Sequence, residues 1–200
     1  MTKVAQILCT VCLLAFAGIG AVMTSDKADA AQHRDQAASQ QHRGQEAAQS
    51  HTHARDQLNN RMLAVHNKER IRLGLPALKW NPALVHKARE WGENLAQKGY
   101  LQHSTEEFAP NVGENLWMGS SGYWQVEDMI GMFIAERQNY RHDRFPNVSD
   151  TGNWKDVGHY TQIVWRDTRE LGCALVMGNG KDVLVCHYYP AGNVHGRRAF

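Results

Sequence analysis

Two cysteines lie symmetrically about a glycine-containing turn near the C-terminal end of this 200-residue chain. Segments 171–177 and 182–189 are rich in β-branched and aromatic residues and predict two strands joined by the loop 178–181. Pairing across that loop places Cys173 opposite Cys186. Opposed residues of antiparallel strands have Cα atoms about 4.5 to 5.5 Å apart, which is within the range of a disulfide. The sequence therefore predicts a hairpin closed by a Cys173–Cys186 bridge.

The composition supports a packed core and excludes one class of partner. The hydrophobic fraction is 42%, with six tryptophans, and the formal net charge is +2. Such a composition is typical of a globular domain rather than a disordered chain. The sequence has no cluster of Lys and Arg that could bind a phosphate backbone, so we expect no nucleic-acid partner.

The first thirty residues read as a targeting segment. An apolar run over 4–23 is followed by the small-residue cleavage pattern Ala28-Asp29-Ala30, which predicts a signal peptide over 1–30. An uncleaved membrane anchor is the alternative, because the apolar run is long enough to span a bilayer. Either case places the rest of the chain outside the cytoplasm, as a secreted, extracellular, periplasmic or cell-surface protein. In such a compartment the cysteine pair is expected to be oxidised.

Residues 31–56 are poor in apolar residues and carry an imperfect repeat rich in Gln, His and Ala. A few polar repeats cannot bury a core, so we expect a solvated tether that is at most partly helical. Its histidines also allow weak metal capture. They are His33, His42, His51 and His53. The folded domain is predicted over 57–200.

The domain reads as helices followed by a small antiparallel sheet, which is an α+β arrangement. A first helix ends at Gly74, and a second runs from the Asn81-Pro82 cap to Gly99. A third helix is predicted over 124–140, with irregular loops over 100–123 and 141–157. The run 160–165 alternates like a strand and completes the sheet with the two hairpin strands.

Two motifs of this chain resemble the signatures of a known family. They are Gly158-His159-Tyr160-Thr161-Gln162-Ile163-Val164-Trp165 and Val185-Cys186-His187-Tyr188-Tyr189-Pro190-Ala191-Gly192-Asn193. Both are similar to the motifs of the CAP superfamily (the SCP domain of cysteine-rich secretory proteins, venom allergens and plant pathogenesis-related proteins). The resemblance implies a three-layer α-β-α sandwich with a small antiparallel sheet. The cysteines available in 57–200 exclude the three-disulfide framework of plant members.

The resemblance also implies a polar cavity, whose residues match position by position. These residues are His103, Glu114, Glu136 and His159. Two imidazoles and two carboxylates suit Zn²⁺ or another divalent cation. The alternative is a purely structural network, in which the four side chains satisfy one another by hydrogen bonds.

We expect a monomeric binding module, with a metal ion held conditionally and a lipid, sterol or protein as partner. An apolar groove is predicted around Phe108, Trp117 and Trp124. The alternative function is a metal-dependent hydrolase or peptidase with Glu114 or Glu136 as the base. Ser104 beside His103 is a poor nucleophile, since adjacent residues on an extended loop point apart. Asn147 begins a glycosylation sequon, which matters only where exported proteins are glycosylated.

Overall fold

A computed structural model describes the backbone of residues 22–200 and the side chains of 33–34 and 36–200. Most of the apolar run and of the predicted signal peptide lies outside the described residues, so the signal peptide stays a prediction. Within the described part of the chain, no helix has both the length and the apolar content needed to cross a membrane. The contacts of the described residues separate into two units, and the division falls between Thr52 and His53.

The first helix, α1, extends over Val22–Arg72 and includes the polar repeat. Residues 36–57 are exposed along their whole length. Buried positions begin at Met62, where the helix enters the core of the second unit. Gly74 follows the helix with a φ of 68°. This left-handed conformation is the one in which glycine commonly ends a helix, as predicted.

The helix α2 extends over Pro82–Lys98 and has the predicted caps. The Asn81 side chain accepts a hydrogen bond from the Ala83 N–H at 2.8 Å. Gly99 closes the helix in the left-handed region and donates its N–H to the Leu95 carbonyl. Both ends are therefore encoded by local chemistry.

Four strands form one sheet in the order β1-β3-β4-β2. The hairpin consists of β3 (Glu170–Gly178) and β4 (Lys181–Tyr189), with Asn179 and Gly180 at positive φ in the turn. Cys173 pairs with Cys186 in the register, and a disulfide joins them across a Cα separation of 4.1 Å. The predicted bridge is confirmed. Its loop length corresponds to a stabilisation of about 3 kcal/mol.

The remaining strands were not predicted. The strand β2 (Gly113–Ser120) lies in the segment expected to be irregular and pairs antiparallel with β4. Its polar residues Glu114 and Asn115 hide the alternation that marks a strand. The two-residue strand β1 (Lys79–Trp80) pairs parallel with β3 and makes the sheet mixed.

The prediction of a strand over 160–165 is wrong. Residues Gly158–Ile163 form a short helix, α4. The Glu136 carboxylate accepts hydrogen bonds from the N–H groups of His159 and Tyr160, both at 3.0 Å. These are two of the amide groups that a helix start leaves without a partner, so a distant side chain favours the helix over the strand.

The third predicted helix is shorter than expected. The helix α3 covers Val126–Ala135, and a 3₁₀ turn continues it over Glu136–Asn139. Packing places α2 on one face of the sheet, against Leu116, Ala174 and Val185. On the other face, α3, α4 and the C-terminal part of α1 pack around the disulfide. The result is the predicted α-β-α sandwich.

One buried cation links α1 to the segment after α4. Arg70 is fully buried. Its guanidinium donates to the carbonyls of Pro76, Ile163, Trp165 and Thr168 at 2.8 to 3.1 Å. Burial is the main cause that lowers the pKa of Arg70 to about 10. Four acceptors offset the loss of water around the charge.

Candidate functional site

The first part of the site is a carboxylate shared by two imidazoles. Glu114 lies near the start of β2, directly opposite His187 of β4. Its Oε1 accepts hydrogen bonds from His103 Nδ1 at 2.8 Å and from the Ser104 N–H at 3.0 Å. Its Oε2 accepts one from His187 Nε2 at 3.1 Å. The Glu114 side chain is 5% exposed, so these donors replace most of its water.

The charges of this group follow from its partners. Burial alone would raise the pKa of Glu114. Hydrogen bonds from His103, His187 and the Ser104 N–H outweigh that effect and lower the pKa to about 2. The same contact with Glu114 raises the pKa of His103 above its usual value. Because the His103 side chain is 67% exposed, solvent screens the pair and its contribution to stability is small.

The second part of the site is a separate carboxylate–imidazole pair. His159 Nδ1 donates to Glu136 Oε1 at 2.5 Å. The His159 ring also stacks on Phe133 of α3, with centroids 4.6 Å apart. Two contacts of different kinds therefore fix the orientation of this imidazole at the start of α4.

Both pairs border one cavity of about 640 Å³. His103, Glu114 and His159 line it, together with side chains from the loops 145–155 and 191–195. Glu136 is not among the lining residues, but it holds His159 from behind. Three of the four predicted residues thus share the cavity, and the fourth supports one of them.

Sequence reasoning missed several residues that line this cavity and one that lies behind it. The fully buried His187 lies behind the lining residues, and its contact with Glu114 depends on the pairing of β2 with β4, which the sequence analysis did not predict. Trp154 and Lys155 line the cavity from the predicted loop 141–157, and His195 lines it from the segment after β4. Asn193 holds one wall in place, since its Nδ2 donates to the Gly158 carbonyl at 2.9 Å and its Oδ1 accepts from Thr161 Oγ1. Its position in the second motif was the available signal.

Imidazole nitrogens are among the ligand types that bind Zn²⁺ in proteins. His103 and His159 each use Nδ1 for a carboxylate, which leaves Nε2 as the nitrogen available for a ligand. A carboxylate behind a metal-binding imidazole fixes its tautomer and increases its basicity. Among the described residues, the tight group of three metal-type donors is His66, Cys173 and Cys186, within 4.8 Å. Those cysteines form the disulfide, so the group is not a metal site in the oxidised protein.

The aromatic residues of the predicted groove fall into two separate clusters. Phe108 packs against Trp91, with centroids 5.3 Å apart. Trp117 packs against Trp124 at 6.0 Å, and Trp124 contacts Tyr123. No ring contact of the described residues joins Phe108 to the other cluster. Trp117 is also mostly buried, so Trp124 and the exposed Tyr123 carry the accessible apolar surface.

The comparison with known proteins assigns the family. Residues 63–188 match the family model described as "Cysteine-rich secretory protein family", abbreviated CAP. The chain belongs to the CAP family. The pathogenesis-related protein PR-1 type of Sambucus nigra is 34% identical over 136 residues, which cover 68% of this chain and 77% of that protein. The family predicted from the two motifs is therefore confirmed.

Solved structures agree with the fold. NaASP2 with Zn²⁺ has a TM-score of 0.60 at 23% identity and covers 70% of this chain and 83% of its own. Na-ASP-1 has a TM-score of 0.59 at 24% identity. The match covers 72% of this chain but 41% of Na-ASP-1, so this chain corresponds to less than half of that protein. These likenesses support the α-β-α sandwich.

Proposed function

We propose that this CAP protein is exported and binds a divalent cation, Zn²⁺ first, through Nε2 of His103 and His159. The bound ion would present open positions in the cavity to a small ligand or a partner protein. The observation that carries the proposal is the shared cavity, in which both imidazoles have Nδ1 held by a carboxylate. The fold neighbour solved with Zn²⁺ makes zinc the first ion to test.

Binding is favoured over hydrolysis by the hydrogen bonds of the two carboxylates. All four oxygens of Glu114 and Glu136 accept from protein donors: three imidazole nitrogens and three main-chain N–H groups. A general base needs an oxygen directed at the proton that it removes. The oxygens of these two carboxylates instead orient the imidazoles and accept the first N–H groups of α4. A lipid or sterol partner stays a prediction for the surface around Trp124.

Calorimetric titration with Zn²⁺ tests the proposal. We expect wild-type protein to show one tighter site and the double variant His103→Ala/His159→Ala to lose it. The histidines of the helical repeat provide a background of weak binding, so the matched control is His42→Ala/His51→Ala/His53→Ala. This control should keep the tighter site and lose only weak binding. Equal zinc affinity in the wild type and the cavity variant would show that the four residues are purely structural.

A further inference from the structure

A second concave site lies away from the His–Glu cavity. Four arginines surround a pocket of about 350 Å³, together with Asp167 and Phe200. We call this set the arginine pocket: Arg144, Arg166, Arg197 and Arg198. None of these residues lines the larger cavity described above. All four arginines are exposed, so their guanidiniums are accessible to a ligand from solvent.

Main-chain hydrogen bonds hold the segments of the arginine pocket together. Arg144 and Arg198 form an isolated antiparallel bridge. The Phe145 N–H donates to the Arg197 carbonyl at 2.8 Å, and the Arg166 N–H donates to the Ala199 carbonyl at 2.6 Å. Three segments that are distant in sequence are therefore fixed side by side. The four Cα positions are set by the backbone before any ligand arrives.

The arginine pocket has a surplus of positive charge. Arg197 pairs with Asp167. Arg144 donates to the Gly196 carbonyl and Arg198 to the His142 carbonyl, and a neutral acceptor leaves their charges uncompensated. No ion pair of the described residues involves Arg166, Arg144 or Arg198. Among the residues that line the arginine pocket, four guanidiniums therefore face one carboxylate, that of Asp167.

Such a surplus points to an anion. Guanidiniums brought into one concave site repel one another unless a negative charge lies between them. The planar guanidinium presents paired N–H donors that match the oxygens of a phosphate group. A phosphate monoester carries close to two negative charges at neutral pH, which matches the surplus better than a singly charged group does.

We propose that the arginine pocket binds a phosphate dianion, either free or carried by a phosphate-monoester headgroup. This function is separate from the proposed metal site and does not depend on it. Each charge-assisted contact is expected to contribute about tenfold in affinity. The affinity should also fall as salt is added, because the arginines are exposed and screened.

Titration of the purified protein with inorganic phosphate at low ionic strength tests the proposal. We expect Arg166→Ala/Arg198→Ala to weaken binding by about tenfold or more. The matched control is Arg43→Ala/Arg55→Ala, which removes two exposed positive charges from α1 and should leave binding unchanged. Absence of binding in wild type, or equal loss in both variants, overturns the site. His103→Ala/His159→Ala should bind phosphate normally, which separates this test from the zinc test.

Vesicles distinguish the two sources of the phosphate group. The probe is a phosphatidylcholine vesicle with or without phosphatidic acid, whose headgroup is a phosphate monoester. Sedimentation with phosphatidic acid that is lost in Arg166→Ala/Arg198→Ala and kept in the control supports a headgroup ligand. Binding of inorganic phosphate without vesicle sedimentation supports a free phosphate. Sedimentation that falls equally in both variants shows unspecific charge attraction and contradicts a headgroup site.

Discussion

At the scale of single residues, His66 shows how one buried side chain is locked by its neighbours. The ring is fully buried in α1. Its Nδ1 donates to the Met62 carbonyl at 2.8 Å, and its Nε2 accepts from the Tyr188 hydroxyl at 2.8 Å. Tyr188 in turn accepts from Asn115 Nδ2 at 3.1 Å. Every member of this chain of hydrogen bonds is satisfied when the imidazole is neutral.

Acid should therefore destabilise the protein through His66. Burial lowers its pKa from 6.5 to about 4 in the folded state. In the unfolded chain His66 binds a proton as the pH falls below 6.5, whereas in the folded protein it stays neutral until about pH 4. Stability is lost as the pH falls through this window, by about 2 kcal/mol at pH 5 relative to pH 8.

Urea unfolding of wild type and His66→Gln at pH 8 and pH 5 measures this effect. We expect the variant to be less stable at pH 8 but to lose about 2 kcal/mol less between the two pH values. The other histidines are common to both proteins, so their contributions cancel in the difference. Identical pH dependence in the two proteins would mean that His66 does not titrate as described.

At the scale of elements, close contact between α2 and the sheet depends on Gly172 in β3. A Cβ at this position would lie 2.5 Å from both the Leu84 Cβ and the Val85 main-chain nitrogen. Backbone cannot yield as a flexible side chain can, so a methyl group must push α2 away from the sheet. The absence of a side chain here allows the helix to pack directly on the strand.

We expect Gly172→Ala to destabilise the protein by about 1 to 3 kcal/mol through overpacking. Gly131→Ala is the matched control, because Gly131 lies inside α3 and no atom beyond its chain neighbours and the backbone of its own helix lies within 4 Å of the added methyl. Alanine there should stabilise by about 0.5 to 1 kcal/mol, since it favours the helix. Thermal unfolding of both variants gives the comparison, and a neutral Gly172→Ala would contradict the packing argument.

Elements whose signals are local could be predicted from the sequence. The register of the β3–β4 hairpin follows from its turn, and both ends of α2 follow from Asn81 and Gly99. The helix α4 could not be predicted, because Glu136 satisfies its first amide groups from 23 residues away. The four site residues were found through the family motifs, whereas the role of His187 required the pairing of β2 with β4.

At the scale of the whole molecule, the disulfide joins β3 to β4 inside the main core. Cys173 and Cys186 both have 0% exposure, so neither solvent nor a reductant reaches them in the folded protein. They lie in the cluster that packs against α1, α3 and α4. The bridge therefore constrains the unfolded chain while remaining protected in the folded one.

We expect Cys173→Ala/Cys186→Ala to lower the free energy of unfolding by about 3 kcal/mol. This is a large share of the 5 to 15 kcal/mol typical of a domain. Chemical unfolding of the double variant and of wild type measures the difference, with and without a thiol reductant. The reductant should lower the midpoint of wild type alone. A variant as stable as wild type would show that the bridge is dispensable for the fold.

The four carbonyls around Arg70 have one more consequence. Every amino acid carries a main-chain carbonyl. The side chains at positions 76, 163, 165 and 168 therefore do not determine whether these four acceptors are present. Replacing Arg70 should therefore remove all four hydrogen bonds, whereas replacing a residue that supplies a carbonyl leaves that acceptor in place. A lysine would retain the charge but has three donors on a single nitrogen, too few and too close together to serve four acceptors.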